Sequence, residues 1–157
     1  MIARAVAVPR DALLQRHVGP GAYTDCFEAM SPFEVDLEAF IGAFYTTWLF
    51  RLERVVLSLV LRRWIRDREV AALAEGGDAF AVWRVEARGA HQILLRETSG
   101  LTRSYLAVSA KEGGVTRLLF GSAVVGPQGR VLRAMIPAHR LYSKALLRLA
   151  ERKLRTR

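Results

Sequence analysis

Residues 81–88, AVWRVEAR, set the pattern from which the fold can be predicted. Side chains alternate along this stretch, with apolar residues such as Trp83 on one side and charged residues such as Arg84 on the other. A period of two is typical of a β-strand that buries one face and exposes the other. Further strand-like stretches follow at residues 91–98, 102–109 and 115–125. Their short connections contain glycine and favour hairpins, so an antiparallel sheet is predicted.

A strand and several helices are predicted ahead of this sheet. Residues 23–30 have the aromatic and apolar content of a strand, and apolar residues then recur at helical spacing from Leu37. The preceding stretch predicts a capping box in which Ser31 caps the helix, Pro32 takes its first position and Glu34 reaches back. The other predicted features are a break at Thr46-Thr47, a second helix from about Trp48, and a short helix near residues 66–74. In the second helix, the spacing predicts one apolar face, made of Leu49, Leu52, Val55, Val56, Leu59 and Val60.

A long amphipathic helix is predicted from Gly129 onward, with Pro137 expected to kink or restart it. Its apolar stripe should pack on the sheet and consists of Ala138, Leu141, Tyr142, Ala145, Leu146 and Leu149. A basic stripe beside it consists of Arg140, Lys144, Arg148 and Arg152. Residues 130–157 contain nine Lys or Arg and one Glu, so they carry +8 of the chain's formal charge of +9.

The chain of 157 residues is expected to form a single domain over residues 1–157, with residues 1–20 as a loosely ordered N-terminal segment. Cys26 is the single cysteine and cannot form an internal disulfide, which favours a reducing, cytoplasmic setting. Residues 39–61 have the length of a membrane span but carry three charges at their middle. Each such charge costs about 2.5–3.5 kcal/mol in a bilayer, so a soluble protein is expected.

No metal site and no cofactor are predicted. The three histidines, His17, His91 and His139, lie too far apart in sequence for the usual spacing of metal ligands. The glycines form neither a phosphate-binding loop nor a dinucleotide-binding pattern after any predicted strand. The chemistry that remains open to the chain is therefore that of its own side chains.

The order of these elements resembles the helix-grip fold of the START-like superfamily, which includes Bet v 1-type and polyketide-cyclase-like proteins. The residues that carry the resemblance are the strand series from Phe80 to Val125 and the final helix from Gly129 to Arg155. The chain also resembles a family of uncharacterised bacterial proteins in the stretches YTDCFEAM, AFYTTWLFRLERVVL, FAVWRVEAR, TRSYLAV and TRLLFGSAVV. The resemblance implies an α+β class and a cavity between the sheet and the last helix. It implies no particular activity, because this superfamily includes carriers as well as enzymes.

Two hypotheses place function in that cavity. The first is binding of a hydrophobic or amphipathic small molecule, with the expected ligand-binding residues Trp83, Tyr105, Leu119, Met135, His139 and Tyr142. The second is a cyclase- or isomerase-type enzyme that uses His139 or Asp25 as acid or base and Tyr105 or Tyr142 as hydrogen-bond donor. The plainer alternatives stay open: Asp25 at a strand edge facing water, His139 bonded into the sheet or solvent, and the aromatic residues in an ordinary core.

A third hypothesis concerns the surface of the last helix. Its cations Arg140, Lys144, Arg148 and Arg152 have the spacing of a stripe that binds an anionic membrane or the phosphates of a nucleic acid. The plainer alternative is a solvated helix face that aids solubility. The sequence leaves the ligand, any reaction and the oligomeric state open.

Overall fold

A computed structural model describes residues 3–61, 66–126 and 129–156 of the chain. The strands are β1 (Arg4–Ala5), β2 (Ala22–Ser31), β3 (Ala79–Phe80), β4 (Trp83–Gly89), β5 (Gln92–Glu97), β6 (Thr102–Ala110) and β7 (Thr116–Val125). The helices are α1 (Leu37–Tyr45), α2 (Trp48–Leu61), α3 (Asp67–Ala74) and α4 (Arg130–Leu154). Short 3₁₀-helices lie at Leu13–His17 and Glu112–Gly114.

The strands form one antiparallel sheet in the order β1-β2-β7-β6-β5-β4-β3. The longest pairing joins β2 to β7, from Ala22 opposite Val125 to Ser31 opposite Thr116. Because residues directly opposite each other share a face, this register assigns every side chain of the two strands to one side of the sheet. We call the side that carries Phe27 the inner face and the side that carries Cys26 the outer face.

Helix α4 packs across the inner face, where it contacts β2, β7 and α1. The main hydrophobic core lies between these elements and includes Phe27, Phe44, Leu106 and Leu147. The predicted α+β class is confirmed: a long C-terminal helix lies on an antiparallel sheet, which is the helix-grip arrangement. The sequence pattern indicated five strands, and the two that it missed, β1 and β3, are only two residues long.

The predicted start of the first helix is wrong. Strand β2 continues through Ser31, which is buried, so Ser31 is not a helix cap and Glu34 lies in the connecting loop. Helix α1 begins at Leu37, and the Asp36 carboxylate caps it by accepting a hydrogen bond of 2.7 Å from the Ala39 N–H. The predicted break at Thr46-Thr47 is confirmed, since α1 ends at Tyr45 and α2 begins at Trp48.

The predicted apolar faces of α2 and α4 are partly wrong. On α2, the side chains of Leu52 and Val55 are exposed, and those of residues 56–60 lie outside the described part of the chain. On α4, Leu141 and Ala138 face solvent. The described residues of α4 that are buried are Ser143, Leu146, Leu147, Ala150, Glu151 and Leu154. A pattern based on hydrophobicity misses this buried stripe, because the stripe includes the polar Ser143. The hydroxyl of Ser143 can be buried since it donates to the carbonyl of residue 139 in the preceding turn.

Helix α4 runs through Pro137 as one element, so the helix does not restart there. No described helix is both long enough and apolar enough to cross a membrane.

Described residues of the N-terminal segment pack against the outer face of the sheet. Strand β1 pairs with β2, and the N–H of Val6 continues this pairing by donating to the Cys26 carbonyl at 2.9 Å. Leu14 is fully buried in a second core with Tyr105 and Leu119. Both faces of the sheet are therefore covered. For this reason the strands carry large apolar side chains on both of their faces.

Candidate functional site

A cavity of about 310 Å³ lies between the N-terminal half of α4, helix α2 and the inner face of the sheet. Its wall is mainly apolar and includes Phe44, Phe50, Phe120, Val124, Ile136 and Leu146. Polar side chains also line this wall, at Thr102, Arg103 and Ser104 of β6 and in two further groups. One group comes from the sheet and α4, with Tyr23, Ser122 and His139, and the other is Glu53 of α2 with Tyr142 of α4.

The first group is built around the carboxylate of Asp25, whose side chain is only 8% exposed. Ser122 lies directly opposite Asp25 in the β2–β7 register. Its hydroxyl and its backbone N–H both donate to Oδ1 of Asp25, at 2.5 Å and 3.2 Å. The hydroxyl of Tyr23 donates to Oδ2 at 2.8 Å. Strand alternation brings Tyr23 and Asp25 to the same face, so two residues of β2 and one of β7 form the group.

His139 joins this group from α4. Its Nε2 lies 2.8 Å from the Ser122 hydroxyl and 3.4 Å from Oδ2 of Asp25. Ser143, one turn further along α4, places its hydroxyl 3.4 Å from the same nitrogen. Tyr23 packs edge-on against the imidazole, with ring centroids 6.4 Å apart. The ring is thus oriented through Nε2 by residues of the sheet.

Burial alone raises the pKa of the Asp25 carboxyl, but the hydrogen bonds from His139, Ser122 and Tyr23 outweigh burial and bring the pKa below its ordinary value of 3.8. The pKa of the Tyr23 hydroxyl is raised, first by burial and then by its hydrogen bond to Asp25. Tyr23 therefore stays a neutral donor at physiological pH. The charged form of Asp25 is the one that this group is built to hold.

The second group has the opposite electrostatic character. The hydroxyl of Tyr142 donates a hydrogen bond to Oε2 of Glu53, which is partly buried between α2 and α4. Burial raises the pKa of the Glu53 carboxyl, and neither the bond from Tyr142 nor the nearby His139 outweighs it. The neutral acid therefore persists to higher pH than it does in a free glutamate. Glu53, which lines the cavity, thus favours the neutral form, whereas Asp25, behind the cavity-lining Ser122 and His139, favours the charged form.

One more polar group borders the cavity. The indole N–H of Trp83 is buried, and the described residues offer it no hydrogen-bond partner. An unpaired buried donor costs free energy, on the order of 1–3 kcal/mol.

The structure brings four of the six expected ligand-binding residues to this cavity, namely Trp83, Met135, His139 and Tyr142. It also brings Asp25 to His139, as the enzyme hypothesis requires. The expected placement of Tyr105 and Leu119 there is wrong. Both lie on the outer face, because Tyr105 pairs with Gly121 and Leu119 pairs with Glu28, one residue out of phase with the inner-face row that contains Asp25 and Ser122.

On the outer face, the hydroxyl of Tyr105 donates to Oε1 of Gln92 at 3.1 Å, and its pKa is raised by burial. Tyr105 and Leu119 line a more open groove of about 890 Å³ on that side, together with His91 and Arg117. Tyr105 is therefore too far from His139 in the fold to act with it. Tyr105 is therefore not a catalytic candidate in the inner cavity.

Sequence reasoning missed Ser122 and Glu53. A signal for Ser122 existed, because it is the polar residue of β7 on the same side as Phe120, in a strand that is otherwise apolar there. Glu53 stood out only as a charge within an apolar stretch. In the described part of the chain, no cluster of three or more His, Cys, Asp or Glu is arranged to hold a metal ion.

These features define a helix-grip α+β domain with a mainly apolar cavity under its last helix. No family model and no curated protein matches the chain. Among solved structures, the chain is similar to the crystal structure of Ara h 8.0201, a Bet v 1-like protein, at 10% sequence identity with a TM-score of 0.42. This similarity covers 87% of this chain and 100% of that chain. The fold class follows from the chain's own sheet and helix, and the similarity adds nothing about function.

Proposed function

We propose that this protein binds a hydrophobic or amphipathic small molecule in the cavity between α4 and the sheet. The observation that carries this proposal is the cavity itself, at about 310 Å³ with a mainly apolar wall. Binding sites for small molecules are typically ~300–1,000 Å³, mostly apolar, with a few polar groups that fix orientation. The volume lies at the small end of that range and favours a compact ligand of one or two rings.

The polar groups of the wall favour a ligand with a hydrogen-bond acceptor. Glu53 is a carboxyl whose neutral form is favoured by burial, and it is a donor that a carbonyl or ether oxygen satisfies. A ligand anion is disfavoured at this end, because it would lie beside a glutamate that becomes charged as the pH rises.

The proposal is tested with the neutral fluorescent probe N-phenyl-1-naphthylamine. Met135 lines the cavity and its side chain is 60% exposed, so it lies at the rim. Met135→Trp places a larger ring at the mouth without disturbing the buried core. We expect one saturable site in the wild type and at least a tenfold weaker Kd in the variant, which corresponds to about 1.4 kcal/mol.

Arg133→Trp is the matched control, since Arg133 is exposed on the same helix and does not line the cavity. It should bind the probe like the wild type. Equal affinity in all three proteins, or binding that does not saturate, would refute the proposal.

A second candidate function, acid–base catalysis of the isomerase type, is favoured by the Asp25–Ser122–His139 group. In the described residues, the ring contacts of His139 to the group are made through Nε2, which leaves the lone pair of Nδ1 for a substrate proton. Glu53 supplies the complementary acid. A proton on the carbon beside a carbonyl moves to Nδ1, the electron pair of that C–H bond forms a carbon–carbon double bond, and the carbonyl oxygen takes the Glu53 proton to give an enol. In a substrate with a β,γ double bond this enol is a dienol, and when His139 returns the proton to the γ carbon and Glu53 takes back the hydroxyl proton, the carbonyl re-forms as the conjugated isomer.

Deuterium exchange of cyclohexanone in heavy water, followed by NMR, tests this second candidate. We expect the wild type to accelerate exchange and His139→Gln to reduce that acceleration about 10²–10⁴-fold, which is the usual contribution of a general base. Ser109→Ala, at a partly buried position of β6 that does not line the inner cavity, is the control. Wild-type exchange no faster than that of His139→Gln would rule out the catalytic role. Probe binding, if retained, would still support the binding proposal.

A further inference from the structure

Large apolar side chains are exposed on the outer sides of α2 and α4. On α2, Trp48 is 64% exposed, Leu52 58% and Val55 42%. These residues are spaced i, i+4 and i+7, so they form one stripe along the helix. On α4, Leu141 is 72% exposed. We call these four residues, with the exposed Met135, the α2–α4 patch.

Contacts between the two helices connect the parts of this patch. Leu52 and Tyr142 line one shallow hollow with Leu49 and Glu53, and the Tyr142 hydroxyl bonds to the Glu53 carboxylate. Leu141 directly precedes Tyr142 on α4. Met135, Glu53 and Tyr142 also line the cavity, so the patch adjoins the cavity mouth. Clustered exposed apolar residues of this size are unusual on a surface that has no partner.

Cations lie beside the patch on α4. Arg148 and Arg152 follow Leu141 at i+7 and i+11, so all three share one side of the helix, and both arginines are exposed. Arg140 is exposed as well. Lys144 differs, because it is partly buried and its ammonium lies 5.9 Å from the centroid of the Phe27 ring, toward the sheet. The basic surface therefore consists of the three arginines, which corrects the four-residue stripe expected from sequence.

We propose that the α2–α4 patch docks on an anionic lipid bilayer, with Trp48 and Leu52 inserted at the headgroup boundary and Arg140, Arg148 and Arg152 at the phosphates. An apolar stripe beside cations is the surface chemistry of interfacial membrane binding. Tryptophan is the side chain that most favours this boundary, since it combines an apolar ring with a polar N–H.

Two other occupants fit the surface less well. A nucleic acid would satisfy the arginines but would leave Leu52, Val55 and Leu141 against a polar, hydrated backbone. A second copy of the chain in a symmetric dimer would bury the apolar residues but would bring two arginine-rich helices together, with like charges facing each other. An anionic bilayer offers an apolar interior to the exposed apolar residues and phosphates to the arginines.

Docking of this kind would place the cavity mouth at the lipid surface. A hydrophobic ligand would then pass between the bilayer and the cavity without crossing water. That consequence rests on the proposed binding function, whereas the docking itself does not, and the two are tested separately.

The test is sedimentation of the full chain with large vesicles of phosphatidylcholine, with and without phosphatidylglycerol, at low and at high salt. We expect binding to the anionic vesicles alone, weakened by salt. Trp48→Ser combined with Leu52→Ser should lower the vesicle partition coefficient about tenfold or more, because two large apolar side chains lose their burial. Replacing all three arginines of α4, Arg140, Arg148 and Arg152, by Gln should lower the partition coefficient about 100-fold. Each cation near anionic lipid contributes to binding, and three contributions are lost together.

Leu101→Ser is the matched control, since Leu101 is 56% exposed but lies in the β5–β6 turn and on neither helix of the patch. It should sediment like the wild type, and circular dichroism should show that all variants are folded. Three results would overturn the proposal. These are no binding to anionic vesicles at low salt, a loss with Leu101→Ser equal to that of the double variant, or a dimer in analytical ultracentrifugation that the double variant abolishes. Competition by a DNA oligonucleotide, with no dependence on Trp48 and Leu52, would assign the surface to nucleic acid instead.

Discussion

Two carboxyl groups on opposite sides of the sheet, Glu28 and Glu53, are held in different ways. On the outer face, Glu28 accepts hydrogen bonds from the guanidinium groups of Arg4 and Arg117. On the inner side of the sheet, Glu53 has the neutral hydroxyl of Tyr142 as its hydrogen-bond partner. The pKa of Glu28 is accordingly lowered, its two arginines outweighing burial, whereas the pKa of Glu53 is raised by burial.

The two faces of the sheet also differ in how closely their side chains are packed. The outer face is closely filled beneath the N-terminal segment: a Cβ added at Gly121 would lie 2.6 Å from Cδ2 of Leu14 and 2.9 Å from the Asp25 carbonyl oxygen. Glycine is required there by that close approach. The inner face keeps a cavity of about 310 Å³ under α4. The comparison supports the proposal that a ligand is accommodated on the inner face, since the outer face beneath the N-terminal segment has no room for one.

The largest expected effect is on the outer face. Leu14→Ala should lower the free energy of unfolding by about 2–5 kcal/mol, because it removes a fully buried side chain from a tightly packed site. Urea denaturation measures this difference. Met135→Ala, on the cavity rim, should change stability by no more than about 0.5 kcal/mol, as exposed positions usually do. Similar losses in the two variants would contradict the division between the faces.

A smaller effect is expected from Glu28→Gln. The side chain of Glu28 is 4% exposed and contacts two arginines, so loss of its charge should cost about 1–3 kcal/mol at neutral pH. Because the pKa of Glu28 is lowered in the folded protein, its contribution is present above the ordinary value of 4.5 and is lost as the pH falls through the folded pKa. Denaturation at a series of pH values should therefore show a flatter acid limb for Glu28→Gln than for the wild type. An unchanged acid limb would show that the two arginines do not stabilise this carboxylate.

The smallest effect, with the opposite sign, is expected from Glu53→Gln. The raised pKa of Glu53 means that its contribution is present below the ordinary value of 4.5 and is lost as the pH rises through the folded pKa. The glutamine keeps an acceptor for Tyr142 and takes no charge. At neutral pH the variant should thus be as stable as the wild type or more stable by up to about 1 kcal/mol. A clear loss of stability at neutral pH, with no loss at pH 4, would show that Glu53 is held as a carboxylate.

Much of the fold could be predicted from the sequence, because alternation in β4 to β7 and helical spacing in α1 and α3 are local signals. The start of α1 could not, since β2 continues through Ser31 by pairing with Thr116, a residue far away in sequence. The packing of the N-terminal segment also depends on distant contacts, namely those of Leu14 with the outer face.

The candidate site was predictable only in part, because it depends on the phase of each strand. His139, Met135, Trp83 and Tyr142 were placed correctly by their elements. Tyr105 was not, since shifting one residue along a strand moves a side chain to the other face, and nothing in the sequence of β6 fixes that phase. Asp25 and Ser122 meet through a strand pairing that joins positions 97 residues apart.

The measurement that tests the inner cavity most directly is a set of intermolecular NOEs from bound N-phenyl-1-naphthylamine to side-chain methyl groups. If the ligand site lies under α4, the probe should show NOEs to Met135, Ile136 and Leu146, which line the cavity. NOEs to Leu14 or Leu119 of the outer face instead, with none to those three residues, would contradict the assignment of ligand binding to the inner face.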